Sequence, residues 1–148
     1  MMRHFEDLKI GEYLTSEYMT VELDDMLAFA EKYDPQWFHT DVEAAKDTRF
    51  GEVIASGVYV AALWRRLDHT LNGDVNYICG VGWENVRWAK AMRAGDVIRA
   101  TSELLELRDS GADPTRGIVV YMCRLENNEG ETMLQFRSTA LVNRAPTA

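Results

Sequence analysis

Asp34 and His39 stand five positions apart in the segment Tyr33-Asp34-Pro35-Gln36-Trp37-Phe38-His39. A carboxylate and an imidazole that meet across a loop can hold one water between them and polarise it. Asp34 follows a helical stretch, where the helix dipole disfavours an exposed carboxylate by roughly 0.3–1 kcal/mol. The same field is expected to raise its pKa and make it a better proton acceptor. His39 sits beside two aromatic residues, Trp37 and Phe38. On spacing alone, the pair reads more simply as an Asp-Pro turn followed by a hydrogen-bonded core histidine.

A second constellation is Ile54-Ala55-Ser56-Gly57, which opens an apolar run. The start of a helix leaves backbone N–H groups without intrahelical partners. Gly57 lacks a side chain, so a ligand carbonyl can come close to such an N–H, which is a good oxyanion donor. Ser56 reads best as a cap, with substrate binding as its alternative. Four basic residues, Arg87, Lys90, Arg93 and Arg99, could meet the phosphates of a ligand such as coenzyme A. They read equally well as a solvated strand-and-loop surface. His4 and His69 are isolated, and no metalloprotease, nucleophile-elbow, Walker or dinucleotide-binding pattern occurs.

The surrounding elements follow from periodicity. Residues 12–21 suit an edge strand. Leu23, Met26, Leu27, Ala30 and Tyr33 then fall at helical spacing, with Thr20 as a plausible cap and Pro35 as the stop. Residues 41–47 suggest one or two helical turns capped by Asp41. Residues 57–71 begin apolar on all sides, predicting a buried helix that turns polar and emerges at Asn72-Gly73-Asp74. Residues 76–88, 97–108, 117–127 and 132–143 are strand-like and separated by turn signals, the last two forming a hairpin. Trp64, Trp83, Trp88, Met122 and Met133 are expected in the core or in dimer contacts. A run of antiparallel strands with one buried helix predicts an α+β protein whose sheet wraps around that helix.

The 148 residues favour one domain over the whole chain, 1–148. An apolar fraction of 47% and a charged fraction of 27% are ordinary for a globular protein. The net charge of −8 argues against nucleic acid as a partner. Cys79 and Cys123 form no C-x-x-C pair, so free thiols are expected rather than a zinc site or a redox pair. The first residues lack the apolar core of a signal peptide, and no run is long enough to span a membrane. A cytoplasmic protein is the resulting expectation.

From Phe29 to Gly57 the chain reads FAEKYDPQWFHTDVEAAKDTRFGEVIASG. This stretch resembles the MaoC-like dehydratases, also called (R)-specific enoyl-CoA hydratases. Phe29-Ala30, Asp34, His39, Asp41, Ala45, Phe50-Gly51 and Gly57 match the family pattern. Gly82-Trp83-Glu84-Asn85-Val86-Arg87-Trp88 and Arg93-Ala94-Gly95-Asp96 resemble a later strand and turn. The resemblance runs from about Thr15 to Val142.

The resemblance implies a hot-dog fold, a homodimer or larger assembly, and an acyl-CoA thioester bound near a subunit interface. It implies that Asp34 and His39 bind one catalytic water and that the Gly57 N–H receives the thioester carbonyl. It implies no metal and no cofactor beyond the CoA of the substrate. In such a hydration, Asp34 would take a proton from water and His39 would deliver one to Cα. The chain departs from the common pattern at Gln36, Trp37, Ser56 and Arg65. A related subgroup carries Tyr-Asp-Pro-Gln-Pro-Phe-His with Ile-Ala-Ser-Gly, which accounts for most of these changes. Bulky Trp37 and Tyr59 are expected to narrow the acyl pocket toward short or branched groups. The alternatives are a hot-dog acyl-CoA thioesterase and a non-catalytic subunit that binds acyl thioesters.

Overall fold

The computed structural model describes residues 1–147. Its strands are β1 (Tyr13–Thr15), β2 (Met19–Thr20), β3 (Tyr77–Trp88), β4 (Val97–Asp109), β5 (Arg116–Asn127) and β6 (Thr132–Asn143). Its helices are α1 (Leu23–Tyr33), the single turn α2 (Trp37–Thr40) and α3 (Gly57–Asn72). Short 3-10 turns occur at Phe5–Asp7 and Ala44–Asp47.

The strands form one antiparallel sheet in the order β1-β4-β5-β6-β3, with β2 also on β4. The expected edge strand over residues 12–21 is thus broken in two. Ser16 causes the break: its Oγ accepts the Ala100 N–H at 2.9 Å, where a backbone carbonyl would otherwise pair. The β5–β6 hairpin is present, and Asn127 Oδ1 accepts the N–H groups of Glu129 and Glu131 to hold its turn.

The sheet wraps around α3, the hot-dog arrangement. On α3, Val60, Leu63, Trp64 and Leu67 are buried against Ile98, Leu104, Leu125 and Phe136 of the sheet. Trp64 meets Phe136 edge to face, with ring centroids 4.6 Å apart. The polar half of α3 does not simply emerge, since Asp68 and Asn72 are buried and hydrogen-bonded to each other at 3.0 Å.

Local corrections concern capping and exposure. Thr20 lies in β2, and Glu22 is the residue before α1, with no side-chain cap bond. Only Met26 and Ala30 of α1 are buried, while Leu23 and Tyr33 are exposed. Asp41 does cap the following turn, accepting the Ala44 N–H at 3.0 Å. Of the residues expected in the core or in dimer contacts, Trp64 and Met133 are in the core, and Trp83 and Trp88 are about half exposed on β3, which ends the sheet on one side. Cys79 is exposed and Cys123 buried, both as free thiols. No helix among the described residues is long and apolar enough to cross a membrane.

Candidate active site

Asp34 ends α1, with its N–H still donating to the Ala30 carbonyl at 2.8 Å. Pro35 cannot extend the helix. The chain reverses through Gln36 and makes the single turn α2, which returns His39 toward Asp34. His39 Nε2 then stands 3.5 Å from Asp34 Oδ2. The loop expected between the two residues is therefore partly helical, and that turn brings them together.

The orientation of the His39 ring is fixed from behind. Its Nδ1 lies 2.8 Å from the Ile54 carbonyl oxygen. A carbonyl only accepts, so Nδ1 carries a proton, and Nε2 is the ring atom turned toward Asp34. The ring is buried, packed on Phe38 at a centroid distance of 4.4 Å.

Asp34 is held by two further donors. Ser56 Oγ donates to Oδ2 at 2.7 Å, and Gln36 Nε2 donates to Oδ1 at 3.1 Å. The Ser56 hydroxyl, then Gln36, hold the carboxyl below the usual carboxylate range, with His39 adding a smaller push and burial opposing them. This overturns the expected rise from the helix dipole. Short hydrogen bonds to the charged form outweigh a partial charge at a helix end. The Asp34 side chain keeps 20% exposure, so water can reach it.

Ser56 is buried and does two jobs. Its Oγ accepts the Val58 N–H at 3.3 Å, capping α3, and its proton goes to Asp34. Gly57 follows as the first residue of α3, and its N–H has no protein acceptor among the described residues. Trp88 packs directly on Gly57, with its Nε1–H donating to the Gly57 carbonyl at 3.0 Å. A Cβ at Gly57 would stand 2.9 Å from Trp88 Cε2.

His39 and Gly57 border a pocket of about 370 Å³ whose wall also includes Phe50, Ile54, Trp88 and Lys90. Asp34 and Ser56 do not line it. Sequence reasoning missed Trp88 as part of the site, and also the ring-orienting carbonyl of Ile54. A backbone carbonyl leaves no residue-type signal, and a tryptophan on an edge strand reads as a packing residue.

The four basic residues do not converge. Lys90 lines the pocket and pairs with Glu131 at 2.8 Å. Arg93 donates to the carbonyl of pocket residue Phe50 at 2.8 Å and stands 3.5 Å from Glu52. Arg87 is exposed on β3, while Arg99 pairs with Glu126 at 2.7 Å and covers Tyr18. Trp37 is exposed and Tyr59 packs on Phe29 at 5.2 Å, so neither lines the pocket. Arg65 pairs with Asp68 at 2.7 Å and likewise does not line this pocket. Among the described residues, no group of three or more His, Cys, Asp or Glu side chains could hold a metal ion.

The sheet curled on one long helix places the protein in the hot-dog class. A Mycobacterium tuberculosis protein described as a double hotdog fold superposes with a TM-score of 0.85. It is 15% identical, with 99% of this chain and 46% of that one covered. The model of the MaoC-like domain matches residues 7–121, and the chain belongs to the MaoC-like dehydratase family. It is thereby an enzyme of the hydratase/dehydratase class, a hydro-lyase. The 3-hydroxyacyl-thioester dehydratase Z of Mycobacterium tuberculosis is 32% identical over 124 residues, covering 81% of this chain and 80% of that protein. The crystal structure of a MaoC-like dehydratase from Rhodospirillum rubrum is 33% identical with a TM-score of 0.89, covering 98% and 99% of the two chains.

Proposed function

We propose that this enzyme adds water to an enoyl thioester and, in reverse, dehydrates a 3-hydroxyacyl thioester, with coenzyme A as the thiol. The observation that carries the reading is the convergence of His39 Nε2 and Asp34 Oδ2, 3.5 Å apart, beside a pocket that also exposes Gly57. One water held by both groups is placed to attack a conjugated substrate.

The chemistry assigns each group a step. The thioester carbonyl accepts the Gly57 N–H, which stabilises the enolate that forms as water attacks Cβ. The water O–H bond breaks as the O–Cβ bond forms, and the proton passes to His39 Nε2. Asp34 stays ionised, aligns the water and stabilises the imidazolium beside it. The imidazolium then gives its proton to Cα, the enolate collapses to the thioester, and the dyad is restored. This exchanges the roles expected from the helix-end argument, because Ser56 and Gln36 make Asp34 a weaker base. Every proton is carried by side chains of this chain, and no step uses a cofactor.

Lys90 is the basic residue best placed to meet a CoA phosphate, by exchanging its partner Glu131 for the ligand. Arg93 supports the same rim through Phe50. The active form is a homodimer joined through β3. That strand ends the sheet and exposes Ile78, Val81, Trp83 and Trp88, whereas an apolar edge is normally paired or covered.

The test is product analysis with an enoyl-CoA. A 3-hydroxyacyl-CoA with no free thiol supports the reading. Release of free CoA with the double bond intact would establish a thioesterase instead.

A further inference from the structure

A second cavity, of about 310 Å³, lies between α3 and the sheet and is lined by Trp64, Arg65, Asp68, Asn72, Tyr121 and their neighbours. Two residues of its wall each carry a buried polar atom without a hydrogen-bond partner among the described residues: the Trp64 indole Nε1 and the Tyr121 hydroxyl. Their side chains are only 2% and 5% exposed, so neither is rescued by bulk solvent. Tyr77 lies close to the Tyr121 hydroxyl but outside hydrogen-bond geometry. Burial pushes the Tyr121 hydroxyl up to about 12, so it keeps its proton and can donate it. Folded proteins pair nearly all buried polar groups. Two orphans on one cavity, roomier than the ~30 Å³ share of one water, point to a ligand group.

The charge on the wall is already matched. The Asp68 carboxylate accepts from Arg65 at 2.7 Å and from Asn72 at 3.0 Å. The unspent capacity is therefore an indole N–H and a phenol O–H, both suited to a neutral oxygen.

Position ties this cavity to the catalytic pocket. Val60 lines the catalytic pocket and Trp64 lines this cavity, one turn apart on α3. Gly57 and Trp64 are separated by about 10 Å along the axis at ~1.5 Å per residue. On the reading that the thioester sits at Gly57, the far end of a medium-length acyl chain reaches Trp64.

The geometry points to a substrate whose acyl group carries a hydroxyl or carbonyl at the end remote from the thioester, received by Trp64 Nε1–H and Tyr121 O–H. This differs from the short or branched apolar group expected from Trp37 and Tyr59.

The test is calorimetric titration of the whole protein with octanoyl-CoA, ω-hydroxyoctanoyl-CoA and ω-carboxyoctanoyl-CoA. The hydroxy ester is expected to bind about tenfold tighter than octanoyl-CoA, the scale of one or two buried hydrogen bonds. Tyr121→Phe and Trp64→Phe should each lower the ratio of hydroxy-ester to plain-ester affinity by about threefold. Tyr121→Phe should melt no lower than the wild type, since it removes an unpaired buried hydroxyl. Equal affinity for the hydroxy and plain esters overturns the inference and leaves the cavity to water. Tightest binding of the carboxy ester overturns the neutral class, and absence of binding by all three overturns it too. Hydration of plain octenoyl-CoA is assayed separately. An active enzyme without the preference sinks only this inference, while an inactive protein that keeps the preference sinks only the proposed reaction.

Discussion

Ser56 Oγ donates a 2.7 Å hydrogen bond to Asp34 Oδ2, the same oxygen that stands 3.5 Å from His39 Nε2. The helix cap and the Asp34 carboxylate are therefore one hydrogen-bonded unit. Ser56→Ala should lower kcat/KM by about tenfold, the scale of one hydrogen bond to a charged group. It should also cost roughly 0.5–2 kcal/mol of stability as a lost cap.

The pH dependence of that variant has a definite sign. Ser56 lowers the folded-state pKa of Asp34, so its contribution to stability is present above the unfolded carboxylate value near ~3.9 and is lost as pH falls through the lower folded value. The stability gap between wild type and Ser56→Ala should shrink below that window, leaving the cap term. Thermal melts across acidic pH check this, and a gap that stays constant would separate Ser56 from the Asp34 carboxylate.

Gly57→Ala separates packing from catalysis. The new Cβ meets Trp88 Cε2 at 2.9 Å, while an alanine gains up to ~1 kcal/mol of helix propensity. Trp88 is half exposed and can swing outward, which relieves the clash at the cost of its bond to the Gly57 carbonyl. The expected result is a stability change within about 1 kcal/mol, with a clear loss of kcat as the pocket wall opens. Denaturant melts beside steady-state kinetics would show it, and unchanged kinetics would remove Trp88 from the site.

The free β3 edge gives an assembly prediction. Val81 is 56% exposed in the protomer, and Val81→Glu places a charge on that apolar edge. Sedimentation should show a dimer for the wild type and a monomer for the variant. A monomeric wild type would contradict pairing through β3.

Much of this was legible in the sequence, and the failures have physical causes. Helical periodicity located α1 and α3, and β-branched runs bounded by turns located β3 to β6 closely. Ser16 was opaque because a side chain replacing a backbone acceptor leaves no hydrophobic signature. The positions of Asp34 and His39 were readable from their spacing and the family pattern, but the sign of the Asp34 shift was not. It depends on Ser56, 22 residues away, which only the folded chain brings within 2.7 Å. The basic residues looked clustered because they are close in sequence, yet Arg87 lies on β3, Arg99 on β4, and Lys90, Arg93 and Arg99 each have a separate acidic partner.

The central claim is that Asp34 and His39 act on one water. It is tested most directly by following loss of the conjugated-enoyl absorbance as purified protein hydrates an enoyl-CoA. The wild type should consume the substrate, while Asp34→Asn and His39→Ala should each fall by about 10²–10⁴-fold with the fold intact. Wild-type rates in both variants, or no hydration of any enoyl-CoA by the wild type, would contradict it.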